Sequence, residues 1–328
     1  MPYVLRRIGG ALLVLVLAFT AAYILLAALP GDAVLARYGN PDLGLTAAQL
    51  AEIRAAYGAD RPQLVQFVET AGSFLQGDLG YSIQSGAAVS ALLAEALPST
   101  LMLAALALLA AVVLAVAIAV IATHPGLRGH AVTRALRNLL RGLPPLMVSL
   151  PVFWIGIVLI QVFSFQLGLV PVLNAGPVES LILPVATLAI PIAAPLAQVL
   201  IRSIDEVLAQ PFVSVARARG ATSTWLLSRT VARNAVLPAM TMAGLLFGEL
   251  VGGAVVTEAV FGRMGIGQIT AQAVAARDTP VLLAVVVIST VVFVLINLVV
   301  DLLYPVLDAR LRRSGAAAPT RRAAVTVR

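Results

Sequence analysis

Runs of about twenty consecutive apolar residues recur along this chain, and no other feature constrains its fold so tightly. Wound as an α-helix, a run of that length matches the ~30 Å hydrocarbon core of a bilayer. Six can be delimited: about Ile8–Leu29, Thr100–Thr123, Leu146–Phe165, Leu181–Ile201, Val236–Val260 and Val281–Leu303. Only 11% of the residues are charged and 60% are hydrophobic, whereas about a quarter of a soluble domain is charged. The expectation is an all-α, polytopic membrane protein with six transmembrane helices.

The cations orient those helices. All 22 basic residues are arginine. With the N-terminus in the cytoplasm, 17 arginines fall on inside segments: Arg6 and Arg7, the Arg128–Arg141 and Arg202–Arg233 groups, and six beyond Asp308. The outside segments hold five: Arg37, Arg54, Arg61, Arg263 and Arg277. The positive-inside rule therefore predicts both termini in the cytoplasm. It also accounts for the net charge of +7 without a nucleic-acid partner. The first apolar run exceeds the h-region of a signal peptide, and Leu29-Pro30-Gly31-Asp32 is a poor cleavage site, so the first helix is expected to be retained.

Two absences bound the chemistry. The chain has no lysine, so it cannot build a P-loop, whose lysine reaches the β- and γ-phosphates, or form a Schiff base. It has no cysteine, which removes disulfides, thiolate ligands and thiol nucleophiles. His124 and His130 lie in a basic loop without nearby carboxylates, so no metal site is expected. No serine has a plausible histidine partner. No catalytic residue emerges, and any ATP driving this protein must be hydrolysed by another chain.

Between the first two spans lies a segment with its own helical signals. Thr46 and Gln49 fit a capping box, with Gly58 as a closing residue. Pro62 suits the first turn of a second helix, on which Leu64, Phe67, Val68, Ala71, Phe74 and Leu75 make one apolar face before the Gly77–Gly80 turn. A small packed helical cap over residues 30–98 is expected. Residues 1–29 form the first helix, 99–308 a five-helix core, and 309–328 a disordered tail.

The loop between spans four and five, residues 205–235, is the most distinctive stretch. Pro211 can open a short helix that Gly220 closes in a left-handed conformation, and Thr222 or Ser223 can cap a second helix bearing Trp225, Leu226, Leu227 and Val231. The residues fit either a rigid knob projecting from the membrane or an amphipathic linker lying on it, with Arg217, Arg219, Arg229 and Arg233 meeting lipid phosphate. Asp205 and Glu206 read as a solvated acidic pair, and Glu258, Asp301 and Asp308 as solvated or ion-paired span-end acids. Within span five, Gly244, Gly248 and Gly252 form a small-residue stripe, which suits packing with a partner chain or within this one. Glu249 stands beside it in mid-membrane, where a carboxylate costs about 2.5–3.5 kcal/mol and should face a cavity, a buried partner or a proton path. Gln161, Gln198 and Asn297 are further candidates for lining a pathway. Phe261–Asp278, with Gly265 and Gly267, reads as a flexible, polar connector.

Phe212-Val213-Ser214-Val215-Ala216-Arg217-Ala218-Arg219-Gly220 resembles the EAA loop of permease subunits of bacterial ABC importers, and within them the B-type subunit of the dipeptide/oligopeptide branch. Ser214 stands where the general family has glutamate, and Gly220 to Pro238 is longer than the general spacing; both departures are similar to the peptide branch. Five further segments resemble that branch in order: Leu29-Pro30-Gly31-Asp32, Asp60-Arg61-Pro62, Gly77-Asp78-Leu79-Gly80, Ser149–Trp154, and Thr257–Phe261 with Gly265-Ile266-Gly267. A sixth is Asn297–Tyr304. The resemblance implies a type I ABC importer fold in the bacterial inner membrane. It implies a second homologous permease, two ATPase domains or one fused ATPase chain, and an extracytoplasmic solute-binding protein. ATP and Mg would be bound by the ATPase, with no cofactor in this chain. Phe212, Val213, Ala216, Arg217, Ala218, Arg219, Gly220, Ala221 and Thr222 would dock the ATPase, and Phe261, Gly265 and Gly267 would face the binding protein. Di- and oligopeptides are the implied solutes, with nickel chelates, glutathione and haem carried by relatives. An ion-coupled secondary transporter or channel is the rival class.

Overall fold

The computed structural model of the protein describes residues 2–28, 38–39, 44–56, 61–124, 131–172 and 175–307. Gly58, Asp301's side chain, His130 and the tail expected to be disordered lie outside the described residues. Among the described residues, twelve helical elements follow one another: α1 Pro2–Ala27, α2 Ala47–Ala56, α3 Gln63–Leu75, α4 Val89–Thr123, α5 Ala131–Ser149, α6 Val152–Leu159, α7 Glu179–Leu208, α8 Pro211–Ala218, α9 Ser223–Trp225, α10 Ala232–Val260, α11 Ile266–Ala276 and α12 Thr279–Leu307. Two π-helical turns, Ile160–Gln166 and Leu226–Val231, extend α6 and α9. Among the described residues the only β feature is an isolated bridge between Tyr81 and Ala88.

Among the described residues five helices are long and apolar enough to cross a bilayer, and a sixth crossing follows if α5 and α6 count as one broken span. The expected third span, Leu146–Phe165, is where sequence and structure differ most. Helix α5 ends at Ser149, the chain turns through Leu150 and an extended Pro151, and α6 leaves at 107°. Proline disfavours the helical region for the residue before it, and here the chain breaks at Leu150, although Pro144 and Pro145 stay inside α5. The second span also differs: α4 starts at Val89, not near Thr100, so the expected boundary at 98/99 falls inside a helix. Val89, Leu93 and Ala96 continue its buried face, packing with Ile266, Ala273, Val281 and Ala284.

At the centre of the bundle α4 packs along α7. The α4 seam is almost entirely alanine: Ala104, Ala107, Ala111, Ala115 and Ala119 have essentially no exposed surface. Ala189, Ala193, Ala194 and Ala197 of α7 are equally buried, flanked by Leu188, Ile192 and Leu196. Lipid tails are as apolar as leucine, so helices gain little by hiding leucine from them. Small residues associate because backbones approach closely and dispersion contacts multiply. Helix α7 contains Pro184, Pro191 and Pro195, tolerated because neighbouring helices surround it. At one end Arg141 braces three helices: its guanidinium reaches Asp205 at 2.8 Å and donates to the Ala122 carbonyl at 3.3 Å. Asp205 is thus ion-paired and partly covered on α7, which continues to Leu208, while its neighbour Glu206 is solvated. Glu206 pairs with Arg202 one helical turn earlier.

The cap is also looser than expected. The capping box forms: the Thr46 amide donates to Gln49 Oε1 at 2.9 Å, and the Gln49 amide to Thr46 Oγ1 at 3.3 Å. Pro62 occupies the cap of α3, not its first turn. That helix fully buries none of its residues, so its apolar face is not the inside of a packed domain.

The alanine seam should punish added volume. Ala111→Leu is expected to destabilise the protein by about 1–3 kcal/mol through overpacking, read as a lowered unfolding temperature in detergent. Val113→Leu, two residues on but mostly exposed, is expected to leave that temperature unchanged.

Candidate functional site

The elbow between α7 and α10 follows directly from its sequence. Gln210 is extended and Pro211 occupies the first turn of α8, where a missing N–H costs nothing. At the other end Gly220 adopts φ +84°. The Gly220 amide donates to the Arg217 carbonyl at 2.9 Å and the Ala221 amide to Ala216 at 3.1 Å. This is a Schellman closure, which needs a left-handed residue at the glycine. Thr222 then caps the next helix, its Oγ1 accepting from the Trp225 amide at 3.3 Å. Val213, Leu226 and Leu227 are buried in the central core, so the elbow is bolted to the bundle.

Between the two short helices is an open-sided hollow of about 670 Å³, lined on the α8 side by Phe212, Val215, Ala216 and Arg219 and on the far side by Gly220, Ala221, Thr222 and Trp225. Six of the nine residues singled out in the sequence line it. Val213 instead points into the core, and Arg217 and Ala218 are exposed outside it. Val215 and Trp225 were not singled out. Of the apolar residues expected on the second helix, Leu226 and Leu227 are buried and Trp225 is half-exposed.

The pathway candidates are not gathered into one pocket. Glu249 is exposed on a face of α10 shared with Leu245, Gly252 and Val256. Gln161 is exposed on the π turn after α6, and Gln198 is exposed on α7. The Asn297 amide donates to the Phe293 carbonyl within its own helix at 2.8 Å. The glycine stripe likewise divides. Gly244 is buried; a Cβ at Gly248 would sit 2.6 Å from the Phe293 ring; a Cβ at Gly252 would meet nothing within 4 Å.

At the opposite end of α10 stands a site that the sequence reading misjudged. Glu258 is not solvated: it has no exposed surface. Its carboxylate accepts from the Thr100 hydroxyl at 2.7 Å and from the Gly267 amide at 2.7 Å. The same Thr100 oxygen accepts from the Ile266 amide at 2.8 Å. One carboxylate and one hydroxyl thereby satisfy the first amides of α11 and tie it to α4 and α10. The glycines serve close approach: a Cβ on Gly265 would fall on the Glu258 carboxylate, and one on Gly267 would fall 2.3 Å from the Val255 Cα. The stretch Phe261–Asp278 is therefore a pinned helix and not the flexible connector expected. Asp278 repeats the device. Almost wholly buried, it accepts from the Ser82 hydroxyl and from the Ile83 and Gln84 amides, each at 3.2 Å. Phe261 packs toward Gly156 of α6, where a side chain would come within 3.3 Å of its ring. Among the described residues no cluster could hold a metal ion.

Known proteins with similar chains agree with one another. Residues 130–313 match the family described as binding-protein-dependent transport system inner membrane component, and residues 1–104 match the corresponding N-terminal family. The probable peptide ABC transporter permease protein y4tP of Sinorhizobium fredii is 35% identical over 318 residues, covering 94% of this chain and 99% of that one. The glutathione transport system permease protein GsiC of Escherichia coli K12 is 34% identical over 313 residues, covering 94% and 98%. Among solved structures, the inward-facing MetNI methionine ABC transporter superposes with a TM-score of 0.53 at 19% identity, covering 66% of this chain and 96% of that chain.

The clasp around Glu258 makes a sharp prediction. Thr100→Val keeps the shape but strands the Ile266 amide and half of the carboxylate, which is expected to cost about 2–3 kcal/mol in thermal unfolding. Thr100→Ser, which keeps the hydroxyl, is expected to stay within a few tenths of that figure from wild type.

Proposed function

The chain belongs to the binding-protein-dependent transport system inner membrane component family as a permease subunit of an ABC importer, and we propose that it forms one half of a pathway for peptide-class solutes. A second, similar permease supplies the other half. ATPase domains grip the elbow, and a solute-binding protein delivers cargo to the end of the bundle that carries α11. The observation that carries this reading is the α8–Gly220–α9 elbow: a rigid, core-anchored knob whose hollow offers Phe212, Val215 and Trp225 as exposed apolar contacts beside Arg219. Such a surface suits a protein groove better than lipid phosphate, because its exposed centre is apolar. The positive-inside bias supports an elbow on the cytoplasmic face, with both termini on that side.

In this mechanism ATP binding draws the ATPase domains together and the two elbows with them. Because Val213, Leu226 and Leu227 root the elbow in the core, a push on the knob moves α7 and α10 as bodies. The bundle opens outward, receives solute, and returns inward-facing after hydrolysis. Glu249 fits the pathway side of α10, since its exposed carboxylate would be expensive against lipid. Relatives named for peptide and for glutathione transport both support a peptide-type cargo, glutathione itself being a tripeptide. Competition between labelled dipeptide and glutathione in vesicle uptake distinguishes the two.

Replacing Gly220 tests the coupling role. An L-residue at φ +84° costs about 1–2 kcal/mol, so Gly220→Val should deform the knob while leaving insertion intact. Solute-stimulated ATP hydrolysis by the assembled transporter is expected to fall about tenfold or more at unchanged membrane levels. Transport at the full rate in that variant, independent of ATP hydrolysis, would overturn the proposal in favour of an ion-coupled carrier.

A further inference from the structure

Helix α3 has a surface that the transport reading leaves unused. Its side chains divide into three directions. Phe67 and Phe74 meet Phe19 of α1, with ring centroids 5.6 and 5.4 Å apart, and Phe67 also meets Tyr23 at 5.1 Å. The Tyr23 hydroxyl donates to the Gln63 carbonyl at 3.2 Å. Leu64, Val68 and Leu75, with Ala71 between them, form a second row, and they are 80%, 67% and 91% exposed. On the remaining side Glu69 pairs with Arg61, and Gln66 donates to the Arg61 carbonyl at 2.7 Å. At about 100° per residue, the leucine–valine row lies roughly a quarter turn from the phenylalanines and roughly half a turn from Gln66.

The contact with α1 sets the depth of this helix. Tyr23 and Phe19 stand about 6 and 12 Å below the Ala27 end of α1 at 1.5 Å per residue. Between Gln63 and Phe74, α3 advances about 16 Å along its own axis while its contact moves only from Tyr23 to Phe19, about 6 Å along α1. Its axis is therefore closer to the membrane plane than to the membrane normal. At this level α1 presents Leu17, Ile24 and Leu25 as exposed apolar surface, and only 6% of its span is buried in the protein. One side of α1 packs on α12, and this outward apolar surface is the part of α1 left for acyl chains, at the level where α3 crosses it. A helix lying flat against a vertical one touches it along its side, so its inward-facing row must be about a quarter turn away, where Leu64, Val68 and Leu75 are.

We infer that α3 is an interfacial membrane helix. The Leu64–Val68–Leu75 row sinks among the acyl chains of the leaflet that holds the Ala27 end of α1, and Glu69 and Gln66 stay at the water side. The depth set by Phe19 and Tyr23 agrees with the ~5–10 Å at which such helices lie. This inference does not depend on which solute is carried.

The cysteine-free sequence allows a direct test in the assembled transporter, reconstituted in phosphatidylcholine–phosphatidylglycerol nanodiscs without binding protein. Single spin labels at Val68→Cys, Leu75→Cys and Glu69→Cys are read for collisions with oxygen, which concentrates in lipid, and with a neutral nickel chelate, which stays in water. The expected result is a severalfold higher oxygen-to-chelate ratio at 68 and 75 than at 69. Equal ratios at the three sites would overturn the inference. Shielding of 68 and 75 from both reagents would overturn it too, by showing a protein cover. Protection that arises only on adding the binding protein would reassign the row as its docking site. None of these results bears on the coupling test at Gly220.

Discussion

Glu258 is a carboxylate with no exposed surface, and its place in the fold is justified by the backbone amides it receives. A membrane offers no water to unpaired N–H groups, so every departure from regular helix must find partners inside the protein. The chain departs from helix between α10 and α12, and again between α3 and α4. In both places one buried acid takes up the loose amides: Glu258 with Thr100 for the start of α11, and Asp278 for the turn at Ser82–Gln84. Each clasp joins residues that are far apart in sequence. The path of these two segments is thereby written into two carboxylates and one threonine.

The interior of the bundle obeys a different economy. The alanines of α4 and α7 bring two backbones close, so stability there comes from contact density more than from escape from water. That seam carries the weight of the central core, and the elbow hangs from its edge through Val213, Leu226 and Leu227. Large apolar residues such as Leu109, Val113 and Leu245 are instead turned outward. For a protein whose surrounding solvent is itself apolar, this inversion is what the physics requires.

The elements that could be read from sequence were those fixed by local chemistry. Proline at the opening of α8, the left-handed glycine at its close, the threonine cap after it and the Thr46–Gln49 box all depend on residues within a few positions of one another. The long apolar runs declared themselves in the same way. What could not be read depended on partners far along the chain. Glu258 looked like an ordinary span-end acid because Thr100, its hydrogen-bond donor, is 158 residues away. Asp278 looked unremarkable for the same reason. The glycines at 265 and 267 suggested freedom, whereas the structure uses their lack of a side chain to let a carboxylate and a backbone in. The alanine seam has a local signal, small residues at helical spacing from Ala104 to Ala119, but the glycines of α10 carry the same signal without the same burial. The bend at Pro151 has no local mark that sets it apart from Pro144, Pro145 or Pro184, which stay inside helices.

Helix α11 is fastened at both ends, to Thr100 and Glu258 where it begins and to the Ser82–Gln84 turn where it stops. A beam secured at two points cannot swing like a door. Any displacement of α11 must therefore carry α4 along, and α4 runs on through the central core to Thr123, so the two ends of the bundle share one mechanical axle.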